Sequence, residues 1–502
     1  MTRRRLIIIL APAVAVLVVA AAAFALLDKP RGAAKPGATT AGAAASPRTT
    51  QPAPKSVDVD VLVYGTQTSG LAALHELQTS APTLKVAVLS GQQALESPLT
   101  QGLCVEDRYP ATPVMGFYKE WREGVIAEYQ AEGKKVLAPG GRLSYEPEIA
   151  KQTLQRLIGG GSAETLFFVG QLVSASDKGD THYAEFRSES GELYRVNARY
   201  FIDSSVEADL ARMLGTDYRI GSRETTYNDV ARRTPAAPSA QNGFATAPQK
   251  MATLLTLELF PGMAPRVSAL NSPYYDPASY DPAAMSAGDL PARFGRSWTM
   301  RVGLLPDSKH ELNEAWNDWP DDQAAFAWVF HPEERKTIYQ RVLTRSINFV
   351  RYLQEHGSPN LGIAHLPDMP YVREGPRVVG RDTYTAAEIG KGVSKECISV
   401  GLYARFDRHQ NAAPTFIGTP TAVHIPMGAI MPAGHPWLLV TTAISTDSRA
   451  YCSAVRMEPT RANIGGAAGI IIALAFKQGA SPISLSYEQV RFGLAARGYL
   501  VN

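Results

Sequence analysis

The stretch VDVDVLVYGTQTSGLAAL, residues 57–74, decides the fold of this chain. Residues 57–64 first alternate between valine and aspartate and then form an apolar run, with many β-branched side chains. This pattern is typical of a buried parallel strand. Gly65 ends the strand, and apolar residues at helical spacing then predict a helix that Pro82 stops. The apolar run LKVAVLS at 84–90 predicts a second strand. Two strands joined by a helix in this way are expected to be parallel neighbours in one sheet.

The turn between the first strand and the helix has the length of a phosphate-binding turn and reads Gly65-Thr66-Gln67-Thr68-Ser69-Gly70. Gly65 permits the tight turn and Gly70 lets the helix pack on the strands, while Gln67 stands where a third glycine usually lets a phosphate approach. The free N–H groups of such a helix start face a pyrophosphate. Ser90 ends the second strand, where an acid usually binds ribose hydroxyls, and can make one such bond without the charge. From this segment alone, a nucleotide site and a ligand-free β-α-β unit are both open.

The composition excludes a nucleic-acid-binding function and indicates no metal site. The 502 residues include 50 basic and 47 acidic side chains, a net charge of +3, and the basic residues are scattered rather than striped. No pair of histidines has zinc-ligand spacing. A disulfide would need an oxidising compartment, and isolated buried thiols are favoured for the three distant cysteines Cys104, Cys397 and Cys452.

The N-terminus predicts export from the cytoplasm. Three arginines precede the uncharged residues 6–27, which at about 1.5 Å each would span the ~30 Å hydrocarbon core of a membrane. The arginines favour the cytoplasmic side, which places the rest of the chain outside. Residues 1–27 are therefore a signal peptide or a membrane anchor, and cleavage near Ala25 would release a secreted form. Residues 28–56, rich in Ala, Pro, Gly and Thr, predict a disordered linker, so the globular part starts near Val57.

Five later stretches carry a resemblance to known proteins. They are SPLTQGLCVEDRY (97–109), YEPEIAKQTLQRLI (145–158), ARYFIDSSVEADLARMLGTDYRIGSRE (198–224), PYVREGPRVVGRDTYTAAEI (370–389) and the segment 423–475, which ends in a helix of small residues. In that order and spacing, they resemble the FAD-dependent oxidoreductases of bacterial genomes, some of which carry the label xanthan lyase. The resemblance covers roughly residues 58–500 and is most specific in 370–381 and 455–469.

The resemblance implies an α/β protein with a Rossmann-like FAD/NAD(P)-binding domain, formed by residues 57–224 and 361–502. Between these parts, residues 225–360 would form an inserted α+β domain that covers the substrate. Four of the six tryptophans lie at 286–330 of this insertion, where packing in its own core is favoured over a sugar-binding surface. Residues 331–357 have apolar side chains on a helical period and predict a long helix back to the cofactor domain.

The resemblance also implies a set of positions that contact FAD: Gly65, Thr66, Gln67, Gly70, Ser90, Thr100, Gly102, Asp203, Thr442, Gly465 and Gly469. Asp203 has a second interpretation as a helix cap, which is favoured. In the family, the last helix directs its N-terminus at the flavin ring, where the helix dipole would stabilise the reduced flavin.

Three arginines are the catalytic candidates: Arg373, Arg377 and Arg456. Arginine binds planar anions bidentately, so one of them could hold a substrate carboxylate or a flavin oxygen. The alternative is a structural salt-bridge network with Glu374 and Asp382. The sequence names no catalytic base.

Several positions depart from the family pattern. Ser90 replaces the ribose-binding acid, Glu96 and Ser97 replace paired glycines, and Val206 and Thr442 stand at further glycine positions. Side chains at such positions are expected to put atoms where the dinucleotide would lie. Binding of FAD and loss of FAD therefore both stay open.

The sequence supports two hypotheses of function. The first is an exported, membrane-tethered FAD-dependent oxidoreductase, in which the flavin takes a hydride from a small-molecule or carbohydrate substrate in the periplasm or outside the cell. The second is a non-catalytic relative that has lost the cofactor and binds a surface glycan or a partner protein. Cleavage of an acidic polysaccharide in the same cleft is a third possibility, which only the family label suggests. In each case the membrane is contacted through the N-terminal segment alone.

Overall fold

The computed structural model describes residues 53–91, 97–137, 139–161, 164–178, 182–221, 235, 237–239, 246–267, 276–280, 305–313, 318–319, 322–393, 395–409 and 415–499. The predicted signal or anchor at 1–27 and the linker up to residue 52 lie outside the described residues. The first strand begins at Lys55, two residues before the predicted start, because Lys55 and Ser56 already pair with a neighbouring strand.

The strands are β1 (Lys55–Tyr64), β2 (Lys85–Ser90), β3 (Glu164–Ser176), β4 (Tyr183–Ser188), β5 (Leu193–Asp203), β6 (Tyr218–Arg219), β7 (Thr256–Leu259), β8 (Lys309–Glu311), β9 (Leu361–His365), β10 (Arg377–Val378), β11 (Cys397–Arg408), β12 (Thr415–Pro426) and β13 (Leu438–Val440). The α-helices are α1 (Thr68–Ser80), α2 (Gly116–Ala131), α3 (Pro147–Gly159), α4 (Asp209–Met213), α5 (Asp322–Phe330), α6 (Arg335–Glu355), α7 (Ser448–Tyr451), α8 (Glu458–Gln478) and α9 (Tyr487–Ala496).

The centre of the fold is a parallel sheet. β1 pairs in parallel with β2, where Val61 lies opposite Val86, and with β5, where Val61 lies opposite Tyr200. The first half of β3 extends the sheet beyond β2, and β13 extends it beyond β5. The resulting order β3-β2-β1-β5-β13 changes direction between β1 and β5, as in doubly wound folds. The predicted parallel pair with its crossover helix and the Rossmann-like α/β class are confirmed.

An antiparallel meander leaves this sheet and returns to it. The second half of β3 pairs with β4, and β4 pairs with the first half of β5. β5 then rejoins the parallel sheet and ends at Asp203, opposite Tyr64 at the end of β1. The carboxyl ends of β1 and β5 therefore lie side by side, next to the turn that begins α1.

Two helices pack on each other through glycines. A Cβ atom on Gly465 of α8 would lie 1.9 Å from the carbonyl oxygen of Ser69 in α1, and one on Gly469 would lie 2.5 Å from that of Ala73. Within the described part of the chain, α8 alone is long and apolar enough to cross a membrane, but 89% of its apolar window is buried in the protein. α8 is therefore a core helix whose small residues allow close backbone contact.

A second, smaller sheet lies in the segment predicted as the insertion. β7 pairs antiparallel with β8 on one side and with β9 on the other. α6 contributes to the same apolar cluster, which includes Leu257, Phe349 and Leu361. α6 confirms the long helix expected at 331–357. The domain borders stay predictions, and β9 continues this sheet just beyond the expected border at residue 360.

The three cysteines are buried free thiols, as the sequence favoured: Cys104, Cys397 and Cys452. Burial raises the pKa of the Cys452 thiol to about 12. A thiol with a raised pKa stays protonated and unreactive at neutral pH, which is consistent with packing as its role.

Candidate cofactor site

A cavity of about 730 Å³ opens at the carboxyl ends of the parallel strands. Its walls include the turn after β1 and the end of β2, with Gly65, Thr66, Gln67 and Ser90, and continue to Ser205 after β5. This position is the switch point of the sheet, between β1 and β5, where open α/β folds bind their ligands. The cavity therefore lies where a nucleotide would meet the start of α1.

The turn after β1 has the backbone shape of a phosphate-binding turn. Gly65 has a φ of +88°, and a Cβ atom there would lie 3.0 Å from both the Oγ of Ser204 and the backbone nitrogen of Ser205. Its N–H donates to the carbonyl of Leu89 at 2.8 Å, which ties the turn to β2. Only glycine adopts this conformation at low cost in such a tight space.

The start of α1 has polar groups without a protein partner. Gln67, the residue before the helix, makes no capping hydrogen bond through its side chain. Among the described residues, neither the Oε1 of Gln67 nor the hydroxyl of the fully buried Thr68 has a hydrogen-bond partner. A buried polar group left in this state costs about 1–3 kcal/mol. An anionic ligand at the helix start would accept hydrogen bonds from the Thr68 hydroxyl and from the first N–H groups of α1.

Ser90 also faces the cavity. Its Oγ lies 3.5 Å from the Oγ1 of Thr66, so the ends of β1 and β2 meet through two hydroxyls. Farther along the wall lie Gln171 and Leu172 of β3. The wall thus includes the phosphate turn, the two hydroxyls of Thr66 and Ser90, and one polar and one apolar residue of β3.

The opposite wall comes from α5 and α6. Trp328 donates its indole N–H to Glu207, and Arg335 contacts both carboxylate oxygens of Asp209, at 2.5 and 2.9 Å. Burial would raise the pKa of Asp209, but the charges of Arg335 and Arg212 outweigh burial and lower it. Trp328 packs in an apolar cluster with Val206, so it serves packing, as expected, and also borders the cavity.

Val206 does not intrude on the cavity. Its side chain is buried in that apolar cluster, with Met251 and Val372 as further members. Val206 is also absent from the cavity wall, so the structure gives no support to the expectation that its side chain blocks the dinucleotide, which stays a prediction. Glu96 lies outside the described residues.

The remaining positions implied to contact FAD lie around the cavity rather than on its wall. Gly70, Gly465 and Gly469 hold α1 close to β5 and α8. Thr442 bridges the Oγ of Ser69, at 2.7 Å, and the carbonyl of Ser204, at 2.8 Å. These contacts fix the position of the α1 start.

Asp203 has the geometry of a cap. It accepts hydrogen bonds from the backbone N–H groups of Ser205 and Ala211, at 2.9 and 2.8 Å, and burial raises its pKa to about 7.

Thr100 bonds the backbone of Ser97, and Gly102 has a φ of +105° and packs on the carbonyl of Leu254. Whether any of these residues touches the cofactor stays a prediction.

The three candidate arginines are all buried in ion pairs. Arg373 pairs with Asp318 at 2.7 Å, Arg377 with Glu374 at 2.6 Å, and Arg456 with Asp407 at 2.5 Å. The expected partner Asp382 instead contacts Gly428. The ion pairs favour the structural alternative for these arginines.

The start of α8 presents a second group of buried polar atoms. Within the described residues, the Nε of Arg456, the Oε2 of Glu458 and the Oγ1 of Thr460 have no hydrogen-bond partner. All three side chains are at least 97% buried. A ligand with donors and acceptors along one edge would satisfy them, since buried polar groups are almost always paired.

Two carboxyl groups near this end, Asp107 and Glu311, were not among the site residues predicted from the sequence. Asp107 is partly exposed, and burial together with the nearby Asp407 raises its pKa to about 6 although Arg456 opposes this. Burial and the charge of Asp107 raise the pKa of Glu311 to about 8. Asp107 lies in the stretch 97–109 that carries the family resemblance, but no local pattern indicates the raised pKa values, because segments distant in the sequence create the surroundings of both groups.

No curated protein matched the sequence. Among solved structures, OxyS anhydrotetracycline hydroxylase from Streptomyces rimosus is 10% identical over 88% of this chain and 66% of that chain, with a TM-score of 0.39. A flavoprotein/dehydrogenase from Cytophaga hutchinsonii is 11% identical over 87% of this chain and 83% of its own, with a TM-score of 0.33. L-proline dehydrogenase from P. horikoshii is 15% identical over 34% of this chain and 25% of that chain, with a TM-score of 0.20.

FAD fits the polar groups that the fold leaves without partners. The start of α1 provides donors for a pyrophosphate beside the cavity, and Ser90 provides one hydroxyl for a ribose. At the start of α8, the Nε of Arg456 is a donor and the Oε2 of Glu458 an acceptor without a partner in the described chain, whereas the Oγ1 of Thr460 packs on Gly401 of β11. The model of the family described as FAD dependent oxidoreductase matches residues 60–494, and the chain belongs to that family.

Proposed function

We propose that this protein oxidises an organic substrate by transfer of a hydride to bound FAD. One observation carries the proposal: the turn that begins α1 borders a cavity at the switch point of the sheet, and within the described chain neither the Oε1 of Gln67 in that wall nor the hydroxyl of the adjacent Thr68 has a hydrogen-bond partner. The bound flavin would supply the electron acceptor. Every other task, from binding to proton transfer, falls to the residues of the chain.

The residues have separate tasks in this proposal. The turn at Gly65–Gln67 and the first N–H groups of α1 hold the phosphates, and Ser90 bonds the ribose. Arg456, which Asp407 holds in place, and Glu458 at the start of α8 orient the ring through the Nε and Oε2 atoms that have no partner in the described chain. The positive end of the α8 dipole favours negative charge on the reduced ring, although the Glu458 carboxylate opposes it.

Asp107 is the group that takes the substrate proton in this proposal. Hydride loss from a carbon that bears a hydroxyl or amine requires a base, and a base works best when its pKa lies near the working pH. Asp107 is partly exposed, has a pKa raised to about 6, and lies close enough to Tyr371 and Tyr403 to affect their pKa values. Arg456, which bonds the Tyr371 hydroxyl at 3.3 Å, would hold this group of side chains in place.

The setting of the reaction follows from the N-terminal sequence. The apolar residues 6–27 support a protein that is held to the membrane by this segment or released by cleavage near Ala25. The substrate would then be a small molecule or carbohydrate outside the cytoplasm. Mass measurement of the mature protein from membrane and soluble fractions tests this part of the proposal.

The test of the reaction is anaerobic reduction of the bound flavin. The purified full-length protein is mixed with alcohols, 2-hydroxy acids, amines and free or oligomeric sugars, and visible absorbance is followed. Bleaching of the flavin by one class, with an oxidised product of equal amount, supports the proposal. A protein that binds FAD but is reduced by none of these classes contradicts hydride transfer from them.

A further inference from the structure

The cavity has three basic residues in its walls: Arg212, Arg335 and Lys336. Arg335 and Lys336 stand at the start of α6, in the part of the chain predicted as the insertion. The insertion therefore contributes positive charge to the wall of the same cavity that the phosphate turn borders.

Two of the three basic residues are already neutralised. Arg335 bonds both oxygens of Asp209, and Arg212 bonds the same carboxylate at 2.8 Å. Tyr64 adds a hydrogen bond to Asp209 at 3.2 Å. Arg212 and Arg335 share the single Asp209 carboxylate, and the charge of Glu207 also acts on Arg335, so two acids balance the two guanidiniums and little charge is left for a ligand.

Lys336 is different. Its side chain is exposed and forms no ion pair with any acid in the described part of the chain, although it borders the cavity. Among the described cavity residues it is the cation left for a ligand. The start of α1 contributes only about half a positive charge. A ligand with two or more phosphate charges needs a further cation in a wall that also carries Glu189, Glu207 and Asp368.

Ser90 adds a second reason for an anionic ligand here. A carboxylate at the end of β2 would repel a phosphate near the adenosine ribose, and this chain has a hydroxyl instead. The hydroxyl pair of Thr66 and Ser90 can donate hydrogen bonds to phosphate oxygens.

We propose that Lys336 binds a phosphate group of the adenine nucleotide held in this cavity, so that the insertion completes the nucleotide site as well as covering the substrate. The inference rests on the proposed function. The phosphate is either the pyrophosphate of FAD or a phosphate on the adenosine ribose, and the same ammonium group suits both.

The test measures nucleotide binding by the flavin-free full-length protein, without catalysis. FAD, ADP, 2′,5′-ADP and adenosine are titrated against the wild type, Lys336→Gln and Lys336→Arg. Lys391→Gln, which removes an exposed lysine away from the cavity, is the matched control. Loss of one charge-assisted contact is expected to weaken binding roughly tenfold.

If Lys336 binds the pyrophosphate, Lys336→Gln should weaken the binding of FAD and ADP about tenfold. If it binds a ribose phosphate, which FAD lacks, the variant should weaken the binding of 2′,5′-ADP about tenfold and leave FAD binding unchanged. In both cases the salt dependence of the affected binding should fall, because a screened ion pair is lost. The stronger effect on ADP identifies the pyrophosphate, and the stronger effect on 2′,5′-ADP identifies a ribose phosphate. Adenosine binding, Lys391→Gln and, in large part, Lys336→Arg should match the wild type.

Two results would overturn the inference in different ways. If the wild type binds FAD and ADP, and Lys336→Gln binds every phosphate-bearing nucleotide equally well, the role of Lys336 is refuted while the proposed function stands. If the folded wild type binds neither FAD nor ADP, both fail together.

Discussion

Glu311 is a carboxyl group that folding moves from water to two backbone N–H groups. Its Oε2 accepts hydrogen bonds from Cys104 at 2.6 Å and Val105 at 2.7 Å, and the residue is 7% exposed. It joins β8 to the segment that the family resemblance places around the flavin. Its protonation state therefore affects how firmly the second sheet is attached to the cofactor domain.

The stability of the folded protein should decrease as the pH rises, because of the Glu311 carboxyl group. Its pKa is raised from 4.5 to about 8 by burial and by Asp107. Between these values the folded state holds a proton that the unfolded state has lost, so the free energy of unfolding decreases as pH rises through this window. In denaturant titrations from pH 5 to 8, the wild type should lose stability relative to Glu311→Gln, which keeps a neutral acceptor.

Glu123→Gln, on the exposed face of α2, is the control and should follow the wild type. A constant difference between the wild type and Glu311→Gln over this pH range would contradict the raised pKa.

Asp107 should govern the pH dependence of flavin reduction. Its pKa is raised to about 6, chiefly by burial, and only the ionised form accepts a proton. The rate of flavin reduction by a substrate should therefore rise with pH and level off above about 6. Asp107→Asn should slow reduction by roughly a hundredfold or more, the usual contribution of a general base. If Asp107→Asn binds FAD as the wild type does, a slower reduction is not caused by misfolding. If the variant reduces flavin at the wild-type rate, Asp107 is not the proton acceptor.

At the scale of secondary-structure elements, the contact between α1 and α8 sets the geometry of the site. Ser69 lies in the first turn of α1, and its carbonyl touches Gly465 while its hydroxyl bonds Thr442. Any displacement of α8 is therefore transmitted to the phosphate turn. The glycines that the resemblance assigns to FAD act at this contact through packing.

Gly465→Ala should destabilise the protein and weaken FAD binding together. The added methyl group would lie 1.9 Å from a backbone oxygen, and such overpacking costs about 3 kcal/mol. Gly159→Ala, at the end of α3 with no atom within 4 Å of the added group, is the control and should keep or slightly raise stability. Thermal unfolding and FAD titration of both variants provide the measurements, and a Gly465→Ala protein as stable as the wild type would contradict the close contact.

The elements themselves were predictable from periodicity. The apolar alternation of β1 and β2, the helix between them and the long α6 follow local patterns, because buried faces repeat every 2 or about 3.6 residues. The start of β1 was missed by two residues because Lys55 and Ser56 are polar and are held by pairing with β5.

The surroundings of the site were not predictable in this way. Arg373 pairs with Asp318 across the fold, while the sequence suggested the nearby Asp382. The side chain of Val206 packs in an apolar cluster formed by residues far away in the chain. A pattern of glycines in the sequence could not show where this side chain lies. Val206→Gly is therefore expected to lower stability, and no gain in flavin affinity should follow.

At the scale of the whole molecule, we infer that the parallel sheet and its two helix starts form the site that holds FAD. Family membership over residues 60–494, the cavity at the switch point and the unpartnered buried groups all support it. Residues of α5 and α6 in the predicted insertion line the same cavity, and we propose that the insertion also covers the substrate.

The flavin content of the purified full-length protein tests this claim most directly. The visible spectrum is recorded before and after addition of FAD, and the flavin released by heating is quantified. The account predicts a yellow protein that holds about one FAD per chain, or reaches that ratio once FAD is added. A folded protein that remains colourless and takes up no FAD would contradict it.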